Sequence, residues 1–217
     1  MKSNIEVKIR ESSPLDETCD ALVLFVPDKA EPFEAFRAVD KKLKNRLSNL
    51  LKEEHFNPRP GESLVYHTNG AISASRIIVT GLGERSKWNE EIFRRATAAA
   101  TLAARNAACA NVAYTIPVEF NDKSSNLLQS MVEGALLSTY RFVKFKTKEE
   151  EIQPRKKIQS ITLLTSSNAR TKAAVDKAQI YSDATAFARD LVNEPANNLN
   201  PEILSRIARE IADENGL

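Results

Sequence analysis

A chain of 217 residues holds one large domain, or one domain with an appended segment. Its 42% hydrophobic and 28% charged residues fit a soluble globular protein, and no apolar run is long enough to span a bilayer. A net charge of +2 supplies no global field that would favour nucleic acid or an anionic membrane.

The amino terminus, Met1 to Glu6, alternates polar and apolar residues and lacks the apolar core of a signal peptide. Ile5, Val7 and Ile9 alternate with Glu6, Lys8 and Arg10, the pattern of a half-buried strand. Ala21 to Val26 is continuously apolar and closed by Pro27, which reads as a central strand buried on both faces. Phe36, Val39, Leu43, Leu47, Leu50 and Leu51 recur at three and four residues and predict one amphipathic helix. Pro58, Pro60 and Gly61 mark a turn, Ser63 to His67 a strand, and Asn69-Gly70 a tight turn after it. Arg76 to Thr80 is a further strand, ending in Gly81-Leu82-Gly83.

Asn89 can cap the next helix, with Glu90 and Glu91 in its first turn and an alanine-rich body from Arg94 to Ala110. Asn111 to Ile116 reads as a strand stopped by Pro117. Leu127, Leu128, Met131, Val132, Ala135 and Leu136 form the stripe of another helix. A charged loop, Lys144 to Lys157, leads to a strand from Ile158 to Leu164. From Ala169 to Asn193 the pattern is helical, with two adjacent apolar stripes in its second half, so it wants packing partners on more than one side. Pro195 ends it, three asparagines follow, and Asn200 with Pro201 and Glu202 opens a last amphipathic helix to about Asn215, with Gly216 suited to its end. Helix and strand patterns alternate, which predicts an α/β sandwich with helices on both faces of a sheet.

Chemistry is sparse. Gly81-Leu82-Gly83, between strand and helix, is either a phosphate-holding nest or a turn needing positive φ; it lacks a third glycine, and Glu84 opposes an anion. His55 and His67 are the only histidines, and no spacing of a zinc site and no Gly-x-Ser-x-Gly elbow is present. The Glu149-Glu150-Glu151 run reads as solvated surface. Three basic clusters, Lys41-Lys42 with Lys44 and Arg46, Lys144 with Lys146 and Lys148, and Arg155-Lys156-Lys157, are either a phosphate-tracking surface or solvated faces. Cys19 and Cys109 read as reduced thiols of a cytoplasmic protein.

Two stretches carry a specific resemblance. Arg189-Asp190-Leu191-Val192-Asn193-Glu194-Pro195-Ala196-Asn197, with Pro201 beyond, resembles the junction of linker helix and catalytic domain in the leucyl (cytosol) aminopeptidase family. Glu133-Gly134-Ala135-Leu136-Leu137-Ser138-Thr139-Tyr140-Arg141-Phe142, with Lys144 to Lys146, is similar to a segment of that family's N-terminal domain, and Val79 to Gly83 is similar to its middle. The resemblance implies a three-layer, macro-domain-like α/β sandwich with a mixed central sheet over residues 1–166. A long linker helix would follow over 167–194, and 195–217 would begin a catalytic domain that is otherwise absent. Family members are cytoplasmic metallo-aminopeptidases, commonly hexamers, that release N-terminal residues from peptides with two divalent metals, zinc or manganese, held in the catalytic domain. No catalytic, metal or cofactor-binding residue carries over to this chain, which on that reading is inactive alone. Its implied partners are its own catalytic domain, further copies of itself and, as in some bacterial members, DNA. Two rival readings stand beside this one: a macro-like module binding a nucleotide or ADP-ribose, and a DNA-binding regulatory domain.

Overall fold

The computed structural model describes residues 5–116, 124–148 and 157–216. Met1 to Asn4, Pro117, the Glu149 to Glu151 run, Arg155 and Lys156 lie outside the described residues.

Six strands form one sheet: β1 (Glu6–Arg10), β2 (Ala21–Asp28), β3 (Ser63–His67), β4 (Arg76–Glu84), β5 (Asn111–Thr115) and β6 (Ser160–Leu164). The order is β1-β6-β5-β2-β4-β3. Neighbours are parallel except the edge pair, where β3 runs antiparallel to β4, with Ser63 opposite Thr80 and His67 opposite Arg76. Asn69 and Gly70, at φ 50 and 80°, turn that hairpin, and Ala71 N–H closes the turn on Thr68 O at 3.0 Å.

Helices α1 (Glu34–Lys42) and α2 (Arg46–Glu53) cover one face. There Phe36, Val39, Leu43 and Leu47 meet Leu22, Leu24, Ile77 and Val79. Helices α3 (Glu90–Asn106), α4 (Ser124–Ser138) and α5 (Ala169–Asn193) cover the other. Val23, Phe25 and Ile78 lie in that core with Phe93, Ala96, Met131 and Ala178. Alternate residues of β2 thus enter opposite cores, which is why its sequence is apolar throughout. The result is the expected three-layer sandwich with a mixed sheet and a long helix at its end.

Helix α3 ends at Asn106 rather than Ala110 and β6 begins at Ser160 rather than Ile158; three further differences from expectation have a physical reason. The segment predicted as one helix from Phe36 to Leu51 is two, broken where Lys44 and Asn45 take φ of 56 and 62°. The second helix is capped from a distance: buried Asp40 accepts from Leu47 N at 3.0 Å, from Ser48 N at 3.2 Å and from the Ser48 hydroxyl. Pro27 does not close β2, which runs on to Asp28; the pairing with β4 shifts there, Val26 facing Gly81 and Pro27 facing Gly83. A residue without N–H is tolerated at such an irregularity. Finally, Gly81 to Gly83 are not a loop after β4 but part of it.

Helix α4 lies between α3 and α5, and all six residues from Met131 to Leu136 are buried or glycine. Gly134 makes the close approach possible: a Cβ there would stand 2.2 Å from Arg94 O of α3. Helix α5 begins with a capping box, in which Asn168 and Thr171 bond each other's backbone. It buries Ala174, Val175, Ala178 and Ser182, then leaves Ile180, Tyr181 and Val192 exposed. The seven-residue connection that follows, Glu194 to Asn200, is tied by Asn198 and Leu199 N–H on Pro195 O. Helix α6 (Pro201–Asn215) follows, capped by the Asn200 side chain on Ile203 N at 2.9 Å and ended by Gly216 at φ 68°. No residue of α6 is buried.

Candidate functional site

The two distinctive sequence stretches, fifty positions apart, meet at one place: the C-terminal ends of α4 and α5. Tyr140, just past α4, donates its hydroxyl to Asp190 Oδ1 at 2.9 Å. Asn193 Nδ2 donates to the same hydroxyl at 3.2 Å and to Arg189 O at 2.7 Å. The Arg189 guanidinium lies over the Tyr140 ring, 5.4 Å from its centroid, and donates to Leu137 O at 3.3 Å. Lys144 Nζ pairs with Glu194 Oε1 at 2.6 Å. Glu194 is in extended backbone, as the residue before a proline must be.

This geometry satisfies one of α4's last carbonyls and locks the last turn of α5 against the segment that leaves α4. Desolvation, followed by the bond to the Asp190 carboxylate, raises the Tyr140 phenol pKa above its ordinary value, so it remains a donor. The cluster holds no nucleophile with an adjacent base. It positions α5; it does not carry a reaction. Nearby, Arg94 of α3 ties the helix layer: its Nε and Nη2 reach Glu133 Oε2 at 3.1 and 2.9 Å, and Gln129 donates to Glu133 Oε1 at 2.7 Å.

The other sequence candidates fall elsewhere. The nest reading of Gly81-Leu82-Gly83 is corrected by hydrogen bonding: Gly81 N–H is spent on Glu62 O at 3.0 Å and Gly83 N–H on Pro58 O at 2.7 Å. The alternative, positive φ, holds at Gly83 alone (69°). Gly81 is glycine because Pro58 and Arg59 backbone occupies the place of a side chain, 2.3 Å from its would-be Cβ. His55 and His67 are exposed, at the end of α2 and the end of β3. Among the described residues no group of three or more His, Cys, Asp or Glu side chains is placed to hold a metal ion.

Cys19 and Cys109 are buried and unbridged. Burial, with Glu17 next, pushes the Cys19 thiol up to about 12, so it is inert near neutrality. Lys41, Lys42, Lys44 and Arg46 are exposed at the α1–α2 corner, in one layer. Lys144 follows α4, which belongs to the opposite layer, and is occupied by Glu194 and the Phe145 ring. The two clusters do not join into one phosphate-tracking stripe. Sequence reasoning missed Asp40 and the Arg94–Glu133 tie; the only signal for either is a polar residue inside an apolar pattern.

A family model described as the cytosol aminopeptidase family, N-terminal domain, matches residues 22–149. A probable cytosol aminopeptidase of Geobacter sp. (strain M21) is 29% identical over 217 residues, covering 98% of this chain and 43% of the relative. One from Aquifex aeolicus (strain VF5) is 31% identical over 179 residues, covering 82% of this chain and 35% of the relative. The chain thus spans about two fifths of the length of the curated relatives it matches. Among solved structures, a mutant of tomato leucine aminopeptidase superimposes with a TM-score of 0.81 at 20% identity, over 97% of this chain and 42% of that one. The bottromycin maturation enzyme BotP, also solved in complex with Mn, gives 0.68 at 22% and 21% identity, over 92% of this chain and 38% and 37% of those. At these identities the structural likeness speaks for the fold.

Proposed function

The chain belongs to the cytosol aminopeptidase family through that family's N-terminal domain, and on this premise we propose that it is the non-catalytic portion of a metal-dependent aminopeptidase of the cytosol. On this reading residues 1–166 are the N-terminal body, 167–194 the linker helix, and 195–217 the first part of a catalytic domain that supplies two divalent metals, zinc or manganese. The metals would polarise the peptide carbonyl and activate water there. This chain's residues would place that domain and contribute to assembly of several copies.

The observation that carries the reading is α6. It is well capped and amphipathic, yet Leu204 and Ile211 are 46% and 36% exposed and nothing in it is buried. An apolar face of that kind on a capped, amphipathic helix marks a contact surface. That this chain spans only about two fifths of its relatives' length supports the catalytic part of the same enzyme as its occupant. The chain as given should release no nitroaniline from leucine p-nitroanilide with added manganese or zinc. Turnover above a metal-only blank, proportional to protein, would refute the proposal.

A further inference from the structure

The strand order opens a crevice that the aminopeptidase reading does not use. β2 and β4 are adjacent and parallel. The chain leaves β2 for α1 and α2 on one face of the sheet, and leaves β4, through a short turn at Arg85–Lys87, for α3 on the other. Where the connections of neighbouring parallel strands diverge in this way, their carboxyl ends are left uncovered, and ligands of open α/β sheets bind in that gap. A cleft of about 890 Å³ lies there, between the ends of β2 and β4, the last turn of α2 and the loop over residues 55–60. That is the size of a small-molecule site.

Its lining has two parts. Leu51, Phe56, Leu82 and Ile92 make an apolar floor. Lys29, Lys52, Arg59 and Lys87 stand around it against two carboxylates, Asp28 and Glu84. Glu84 is already paired with Lys87 at 2.9 Å. Lys52 and Arg59 have no ion-pair partner among the described residues, and neither does Asp28, so the cleft carries two cations against one carboxylate beyond the Glu84–Lys87 pair and Lys29.

The wall is preorganised. Pro58 and Pro60 stiffen it, and the bonds from Gly81 and Gly83 N–H, on Glu62 O and Pro58 O, pin it to β4. His55, at φ 48°, is the left-handed cap that ends α2, its N–H on Lys52 O at 3.1 Å and the next N–H, of Phe56, on Leu51 O at 2.9 Å, which fixes the start of the wall.

We propose that this cleft binds a phosphorylated, ring-bearing small molecule of nucleotide size, its ring on the floor at Phe56 and its phosphates at Lys52 and Arg59. The glycine N–H groups take no part. A reporter stands beside it: Trp88, the only tryptophan, donates its indole N–H to Leu82 O and Gly83 O at 3.1 and 3.3 Å.

The test is a titration of the chain with a nucleoside diphosphate, read by Trp88 fluorescence and by calorimetry, with inorganic phosphate and the unphosphorylated nucleoside as separate arms. The diphosphate should saturate at a lower concentration than either part alone. Lys52→Glu and Arg59→Glu should each weaken it about tenfold, the worth of one charged contact. Lys41→Glu, equally exposed on α1 but outside the cleft, should leave it unchanged. No saturable heat at millimolar ligand overturns the proposal. So does a loss as large for Lys41→Glu as for the cleft variants, which would mark unspecific attraction, or a nucleoside binding as well as its diphosphate. A failed titration would leave the aminopeptidase reading untouched, because that stands on the family match and α6.

Discussion

Gly134→Ala sets two effects of known size against each other. By helix propensity the change should stabilise α4 by about 1 kcal/mol. The structure opposes it. The new Cβ would stand 2.2 Å from Arg94 O and 3.0 Å from Arg94 C. These are backbone atoms of α3, so no side chain can swing aside. Relief to ordinary contact requires α3 and α4 to separate by roughly 1 Å, at a place where every neighbouring α4 residue is already packed. Overpacking of this kind costs about 1–3 kcal/mol, and a clash against rigid backbone belongs at the upper end. The net loss is about 2 kcal/mol, or roughly 4–8 °C of melting temperature for a chain of this size. Thermal unfolding followed by far-ultraviolet circular dichroism measures it. An alanine variant that melts at or above the parent would show that propensity dominates and that the two helices do not meet backbone to backbone.

Asp40→Ala should cost about 2 kcal/mol, since it removes a helix cap and strands the buried Leu47 N–H; a melting temperature within a degree of the parent would remove the long-range cap from the account. Tyr140→Phe deletes only the hydroxyl between Asp190 and Asn193. It should lower global stability by about 1 kcal/mol or less, yet speed tryptic cleavage after Arg189 severalfold; unchanged cleavage would mean α5 is held by packing alone. At alkaline pH the sign follows from Cys19. Its folded pKa of about 12 lies above the ordinary 9.0, so the folded state keeps the proton longer. That contribution is whole below pH 9 and lost as pH rises towards 12. Tyr114, raised by burial from 10.0, adds in the same direction at higher pH. Melting temperature should fall through this window, less steeply in a Cys19→Ala variant; a flat profile refutes it.

What the sequence recorded well was anything decided locally. The bounds of α5, the cap at Asn89 and the start of α6 each follow from a side chain and its own next turn. What it recorded badly was decided across space. Phe36, Val39, Leu43 and Leu47 all face one core, so their spacing stays regular through the break between α1 and α2; the break depends on Asp40 reaching a helix seven residues on. Gly81 looked like a turn because its reason, the backbone of Pro58 and Arg59, lies more than twenty positions away. The junction was visible as two familiar stretches but not as one place, because no periodicity connects Tyr140 with Asp190.

That junction also shows how a weak network can matter to a larger assembly. Lys144 is 57% and Glu194 12% exposed, and a half-exposed pair of this kind is worth on the order of 1 kcal/mol. The Tyr140 bonds add about 1 kcal/mol. Against the two cores beneath it, such a sum does little for the stability of the body. Its effect is on direction. Helix α5 spans about 38 Å at 1.5 Å per residue, and burial anchors it only as far as Ser182, through Ala174, Val175, Ala178 and Ser182. A helix held at one end moves its other end through a wide arc. Contacts from Tyr140 and Lys144 to residues 189–194 restrain that far end, and the turn after it is closed on Pro195 O. The apolar face of α6 is thereby presented from a fixed base, which is what a surface must have if a second, larger body is to seat on it in one orientation.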